Sequence, residues 1–117
     1  MSYVDVFVMS VYPDRWDEHV EQSRQGAAIW KGLGALSVVD TRADDAPVGE
    51  VTSFPRAVMA KEGEILALSY ITYRDRAHRD QVMAAAMKHE GFMEMMKSPP
   101  FNPKLMIWGG FETLATD

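Results

Sequence analysis

Four apolar runs, Tyr3–Val11, Leu36–Val39, Ile65–Tyr73 and Leu105–Leu114, carry apolar residues on both odd and even positions. Side chains of a strand alternate between faces, so runs of this kind form strands that must be covered on both sides. The chain offers only two amphipathic stretches as cover, Pro13–Lys31 and Asp75–Glu90. Two helices on one side of a four-stranded sheet leave the other side bare. The expected molecule is therefore a small α+β domain that pairs sheet to sheet with a second copy.

Length and charge narrow the possibilities further. At 117 residues the chain is expected to form one domain, 1–117, with a core but little surplus burial. Its net charge of −5 argues against a nucleic-acid partner, whose phosphates require a basic face. The basic cluster Arg74, Arg76, His78 and Arg79 is interrupted by Asp75 and Asp80 and reads as a solvated helix start. The absence of cysteine removes disulfides, thiol nucleophiles and thiolate metal sites together. Asp5, Asp14, Asp17 and Glu18 near the start leave no basic region for a signal peptide. No apolar run reaches the roughly 18 residues that span a bilayer, so no membrane role and a cytoplasmic location are expected.

Along the chain, β-branched and aromatic residues in Tyr3–Val11 suit a pleated surface. Pro13 fits the first turn of a helix, with Asp14, Asp17 and Glu18 complementing its positive end. Trp16, Val20, Ser23, Ala27 and Trp30 recur at helical spacing and predict a buried stripe; Gly32 and Gly34 offer stops. A second strand is expected over Ala35–Ala43. Pro55 in the segment Val51–Lys61 permits only an edge strand or bulge, and Glu62-Gly63-Glu64 would turn Phe54–Ala60 into a hairpin with Ile65–Tyr73. Asp75 is the natural cap of the second helix, with Val82, Met83, Ala86 and Met87 facing inward and Gly91 as its break. Phe92–Lys97 can add one or two turns. Three prolines within Ser98–Lys104 make a stiff connector anchored by Phe101. Gly109-Gly110 in the last strand suggests a bulge or a close backbone approach.

The order is β-α-β-(β)-β-α-β, the ferredoxin-like pattern, and right-handed crossovers place the first strand and Ile65–Tyr73 centrally. The aliphatic positions Val4, Val6 and Val8 are assigned to the helix side, which turns Asp5, Phe7 and Met9 away from the helices. An uncovered face with about eight apolar side chains would expose on the order of 600–900 Å², more than a monomer usually tolerates. Covering it is worth roughly 15–20 kcal/mol against association costs of about 4–15 kcal/mol, so dimerisation through the sheet face wins.

Several segments together resemble one family. Tyr3-Val-Asp5 with Phe7-Val8, Gly34-Ala-Leu36, Pro47-x-Gly49-x-Val51-Thr52-x-Phe54, Arg79-Asp80, Pro100-Phe101-x-x-Lys104-x-Met106-Ile107 and Gly109-Gly-Phe-Glu112 are similar to the YbaA-like bacterial proteins, domain of unknown function 1428. The match runs over nearly the whole chain. The resemblance implies a dimeric α/β-barrel in which two ferredoxin-like halves join sheets, and brings no assigned activity or catalytic residues. Val6, Ser53, Asn102 and Leu105 depart from the family pattern, standing where it has Gly, Asp, Asp and Arg, which weakens any site built on the three polar positions.

Asp5 is the candidate catalytic residue. A carboxylate among apolar neighbours in a central strand costs several kcal/mol unless it is paired or protonated. It is either a base or ligand anchor with a raised pKa, or a structural acid bonded to backbone or to an arginine across the dimer. Tyr70, Trp108 and Glu112 are the ligand-pocket candidates, with Glu112 able to approach Asp5 across neighbouring strands; Trp30 and Phe111 could help roof such a cavity. Arg42 and Arg56 could neutralise the acids. His19, His78 and His89 lack metal-site spacing, so no metal is expected, and His19 reads as an edge-of-core histidine. Met83, Met87, Met93, Met95 and Met96 read as core fillers. No phosphate loop, dinucleotide fingerprint or serine-hydrolase elbow is present, and no cofactor is expected.

Two functions fit these residues. One is a small dimeric protein that binds an apolar or aromatic metabolite, or a protein partner, without chemistry. The other is a cofactor-independent monooxygenase or isomerase, by fold analogy alone. There Asp5 would accept the proton, Trp108 and Tyr70 would position a ring, and an arginine would hold the anion.

Overall fold

β1 (Tyr3–Val11) lies inside a four-stranded sheet between β3 (Ile65–Tyr73) and β4 (Ile107–Glu112), while β2 (Ser37–Arg42) closes the other edge beyond β3. These elements come from a computed structural model, which describes residues 2–116. All neighbouring strands are antiparallel. A 3₁₀ turn at Pro13–Arg15 leads into α1 (Trp16–Gly32), and α3 (Arg76–Met87) follows β3. Short α2 (Phe54–Ala57) and α4 (Glu90–Met95) complete the chain. The two longest strands sit centrally, as the crossover rule requires for this ferredoxin-like order. Among the described residues no helix is long and apolar enough to cross a membrane.

The register decides which face the helices cover. Val4, Val6 and Val8 lie opposite Thr72, Tyr70 and Leu68 on one side and Phe111, Gly109 and Ile107 on the other. Tyr3, Asp5, Phe7 and Met9 share the opposite face with Tyr73, Ile71, Ser69 and Ala67. Trp30 of α1 and Val82 and Ala86 of α3 join Tyr3, Ile71 and Tyr73 in one core, with Phe7, Leu33 and Met83 packed against it. A second core holds Met9, Val11, Ala67 and Phe101. The expected assignment of Val4, Val6 and Val8 to the helices is thus reversed. Layers pack about 10 Å apart, and the long side chains of Tyr3, Phe7 and Met9 bridge that gap to a helix better than valine can.

Local chemistry accounts for the other departures. Val51–Lys61 holds no strand; Ser53 Oγ accepts from Arg56 N at 3.1 Å and caps α2. Pro55 occupies an early helical position, where its missing N–H costs nothing. The helix break falls at Lys88–His89 rather than Gly91, because the His89 side chain caps α4 by accepting from Phe92 N. Asp75 caps α3 as expected, Oδ1 accepting from His78 N at 2.7 Å. That cap turns His78 and Arg79 inward, so both are buried instead of solvated. Met83 packs on the core, but Met87, Met93 and Met96 are exposed and do not fill it. Phe101 anchors the proline-rich connector beside Val11, and Tyr12 N donates to Pro100 O at 2.9 Å.

Candidate functional site

Asp5 projects from β1 beneath α3, with Ile71 of β3 and Gly110 of β4 as its lateral neighbours. Its accessibility is 0 %. Arg79, one turn ahead of Val82 and Met83 on α3, reaches down to it. The guanidinium lies 5.0 Å over the Tyr3 ring, and Nη2 donates to Tyr3 Oη at 2.9 Å. Its Nε stands 3.7 Å from Asp5 Oδ1 and 3.4 Å from Asp80 Oδ1. Gly110 makes room for this arrangement. A methyl there would sit 2.7 Å from a Tyr3 ring carbon and 2.8 Å from Arg79 Nη2. The glycine pair is therefore a close backbone approach within a strand whose register is unbroken, not a bulge.

The centre is under-bonded for so buried a place. Both Asp5 oxygens, the Tyr73 hydroxyl and Arg79 Nε are enclosed and lack a hydrogen bond of normal geometry. Asp5 and Arg79 compensate each other's charge across 3.7 Å, so the centre is a buried ion pair of loose geometry with the Tyr73 hydroxyl beside it. Burial raises the Asp5 pKa above the ordinary carboxylate range; Arg79 and the nearby Tyr73 hydroxyl pull it back only in part. Burial and the Asp5 charge also push the Tyr73 phenol up, so it stays protonated. A carboxyl with raised proton affinity, facing a neutral phenol and a fixed guanidinium, can hold a polar guest or pass a proton.

The other candidate residues divide between the two faces. Trp108 lies on the Asp5 side, stacked on Phe7 at 6.1 Å and 16°, and stays 53 % exposed. Glu112 lies opposite Tyr3 on that same side and is solvent-exposed, so it is a rim residue rather than a partner of the enclosed Asp5. Tyr70 pairs with Val6 and Val39 on the far face. The thickness of the sheet separates it from Asp5 and Trp108, and it cannot share their site. Phe111 is also on the far face, over Gly109, while Trp30 is core. Arg42 stacks on Trp16 and Arg56 ties down the carbonyls of Val48 and Gly49, so neither neutralises Asp5.

Arg79, Tyr3 and Tyr73 are the residues that sequence reasoning left out. Arg79 could have been found, since it shares a helix face with Val82, Met83 and Ala86 by its spacing of three, four and seven. Among the described residues no group of three or more His, Asp or Glu is placed to hold a metal. The two principal clefts lie elsewhere. One of about 580 Å³ is formed by the chain before α2 and the turn before β3. The other, of about 390 Å³, lies between α1 and β2. Neither reaches Asp5, and the larger is the poorer in buried titratable groups, so size does not identify the chemical centre.

Comparisons with known proteins agree with this architecture. The ferredoxin-like layers superpose on those of a dimeric ferredoxin-like protein from an uncultured marine organism, with TM-score 0.67, 10% identity and coverage of 99% of this chain and 98% of that one. SnoaB, a cofactor-independent oxygenase from Streptomyces nogalater, gives TM-score 0.58 at 12% identity over 98% and 95%. At such identities the likeness is one of fold. In sequence, the uncharacterized protein YbaA of Escherichia coli strain K12 is 40% identical over 114 residues, 97% of either chain, and YbaA of Shigella flexneri matches equally. The family model described as "Protein of unknown function (DUF1428)" matches residues 2–103. With both matches spanning most of its length, the chain belongs to the DUF1428 family that includes YbaA.

Proposed function

We propose that the protein is a homodimer, closed over its bare sheet face, that binds a small aromatic or apolar molecule on the helix side of each half. Trp108, stacked on Phe7, supplies the stacking surface, and the enclosed Asp5–Arg79 pair beneath α3 sets the charge behind it. The observation that carries this reading is Trp108, stacked on Phe7 on the helix-covered face and left 53 % exposed on the same side as the enclosed Asp5–Arg79 pair. The dimer is supported by the far face, where Val4, Val6, Leu66, Leu68, Tyr70, Ile107 and Phe111 form an apolar surface left partly or largely exposed. The fold likeness to a dimeric ferredoxin-like protein points the same way.

Native mass spectrometry of the protein as purified tests both parts. The expected result is a dimer that retains small molecules released on unfolding, with retention lost in Trp108→Ala and the dimer kept. A monomer at micromolar concentration overturns the dimer. A dimer that is empty, and whose Trp108 indole N–H ignores an aromatic fragment library, overturns the ligand site and leaves a protein partner as occupant of the exposed ring.

A second reading, a cofactor-independent enzyme with Asp5 as proton acceptor, is favoured by the raised proton affinity of that carboxyl. It is excluded if Asp5→Asn leaves turnover of an identified substrate unchanged.

A further inference from the structure

We infer that the groove between α1 and β2 is a separate binding site, built for a small aromatic carboxylate. Of the apolar stripe along α1 only Trp30 is buried, joined by His19 one position off the stripe. Trp16, Val20, Ser23 and Ala27 stay half-exposed. Trp16 packs one side against the Met9, Val11, Ala67 and Phe101 core, and the four residues line an open groove of about 390 Å³ against Asp40 and Arg42 of β2. The groove is open on its outer side, so a ligand would lie along it with one face toward solvent.

The groove has a charged end, a flat wall and a buried polar side chain. The Arg42 guanidinium lies 5.1 Å over the Trp16 ring and makes no ion pair among the described residues. Asp40, two residues away on the same strand face, accepts from the Ser69 hydroxyl at 2.7 Å; that bond does not cancel its charge, which acts on His19, so a carboxylate is confined to the Arg42 end of the groove. A guanidinium held by stacking with its N–H fork unused is a ready partner for a carboxylate. His19 is 7 % exposed, 5.2 Å from the Trp16 ring and edge-on to Phe101 at 6.4 Å. No hydrogen bond to its imidazole forms among the described residues, and it lines the groove. Burial lowers its pKa against the opposing pull of Asp40, so a neutral ring faces the opening.

These features select the ligand class. Inorganic anions would satisfy Arg42 but leave the indole, Val20 and Ala27 uncovered. A purely apolar molecule would cover them but strip water from an unpaired cation. A flat ring with one carboxylate serves both, and a hydroxyl across the ring would meet His19. The inference does not rest on the Asp5 centre, which lies beneath α3 rather than α1.

The test is a titration of the isotopically labelled full-length protein with 4-hydroxybenzoate, followed by NMR. Saturable shifts are expected at the Trp16 indole N–H, Arg42 Nε–H and the His19 ring. Arg42→Gln should weaken binding by about ten-fold or more, and acetate and phenol should each bind at least about ten-fold more weakly than the whole probe. Asp5→Asn should leave the shifts at Trp16, Arg42 and His19 unchanged, whatever it does to those at Trp108. The inference is overturned if no saturable shift occurs by about 10 mM, if the shifts fall on Trp108 and not Trp16, or if Arg42→Gln binds as well as the native chain. Arg42 is exposed, so its variant keeps the test valid even if His19→Gln, at a buried position, fails to fold.

Discussion

The helix-covered face of the sheet holds Tyr3, Asp5, Phe7, Ile71 and Tyr73, whereas the bare part of the other face holds Val4, Val6, Leu68 and Tyr70. Among the described residues, the fully enclosed carboxylate lies under the chain's own helices, while a largely apolar surface on the other face stays partly exposed. A monomer optimising its own burial would do the opposite. The difference shows two kinds of packing at work. The inner layer is filled by long aromatic side chains and by Arg79, which descends from α3 to accompany Asp5. The outer layer carries a row of valines along β1 flanked by Leu66, Leu68, Tyr70, Ile107 and Phe111, an apolar surface suited to a second sheet.

The largest effect is expected where a charge enters the bare face. Val6 lies between Tyr70 and Gly109 at the middle of that surface. Val6→Glu should weaken the dimer by about a thousand-fold, about 4 kcal/mol, with far-UV circular dichroism preserved. Sedimentation equilibrium measures it. An undiminished dimer would show that the bare face is not where two copies meet.

On the covered face, Arg79→Met should cost about 3–5 kcal/mol of unfolding free energy in urea, because it strands the enclosed Asp5 carboxylate. Adding Asp5→Asn should return at least about 1 kcal/mol, since the two side chains share one interaction. Additive costs would mean that Arg79 serves Tyr3 and not Asp5. A smaller loss, about 1–3 kcal/mol, is expected for Gly110→Ala, whose methyl must displace the Tyr3 ring or the guanidinium. A neutral Gly110→Ala would mean that α3 can lift without penalty.

Element order and strand order were readable because they rest on long periodic runs and on crossover handedness, which tolerate local error. The facing of β1 was not. Both of its faces are apolar enough to be buried, and what separates them is side-chain length set against a helix at one distance and a sheet at another. Val51–Lys61 misled for a related reason: its strand-like residues yield to Ser53 as a cap and Pro55 at an early helical position. Of the site, Asp5, Trp108 and Glu112 could be named because acids and aromatics stand out in strands. Tyr70 could not be excluded without the register. Arg79 was hidden among Arg74, Arg76 and His78, and only the phase of α3, set by Asp75, separates it from that solvated group.

The smallest and sharpest test concerns the proton on Asp5. Burial raises its pKa, so the folded chain holds this proton more tightly than the unfolded chain does. Between the ordinary carboxylate pKa and the raised one, the native state binds more protons, and linkage makes its stability fall as pH rises. Below that window the contribution is fully present; above it, it is gone. Asp5→Asn keeps the shape and removes the ionisation, so the variant should match the native chain at the acid end. It should become the more stable of the two as pH approaches neutrality, by on the order of 1 kcal/mol. Urea unfolding of both proteins across this range gives the difference directly. A gap that stays constant with pH would mean that Asp5 is ionised throughout, held by Arg79 as a plain ion pair, and the covered face would then lose its claim to acid–base chemistry.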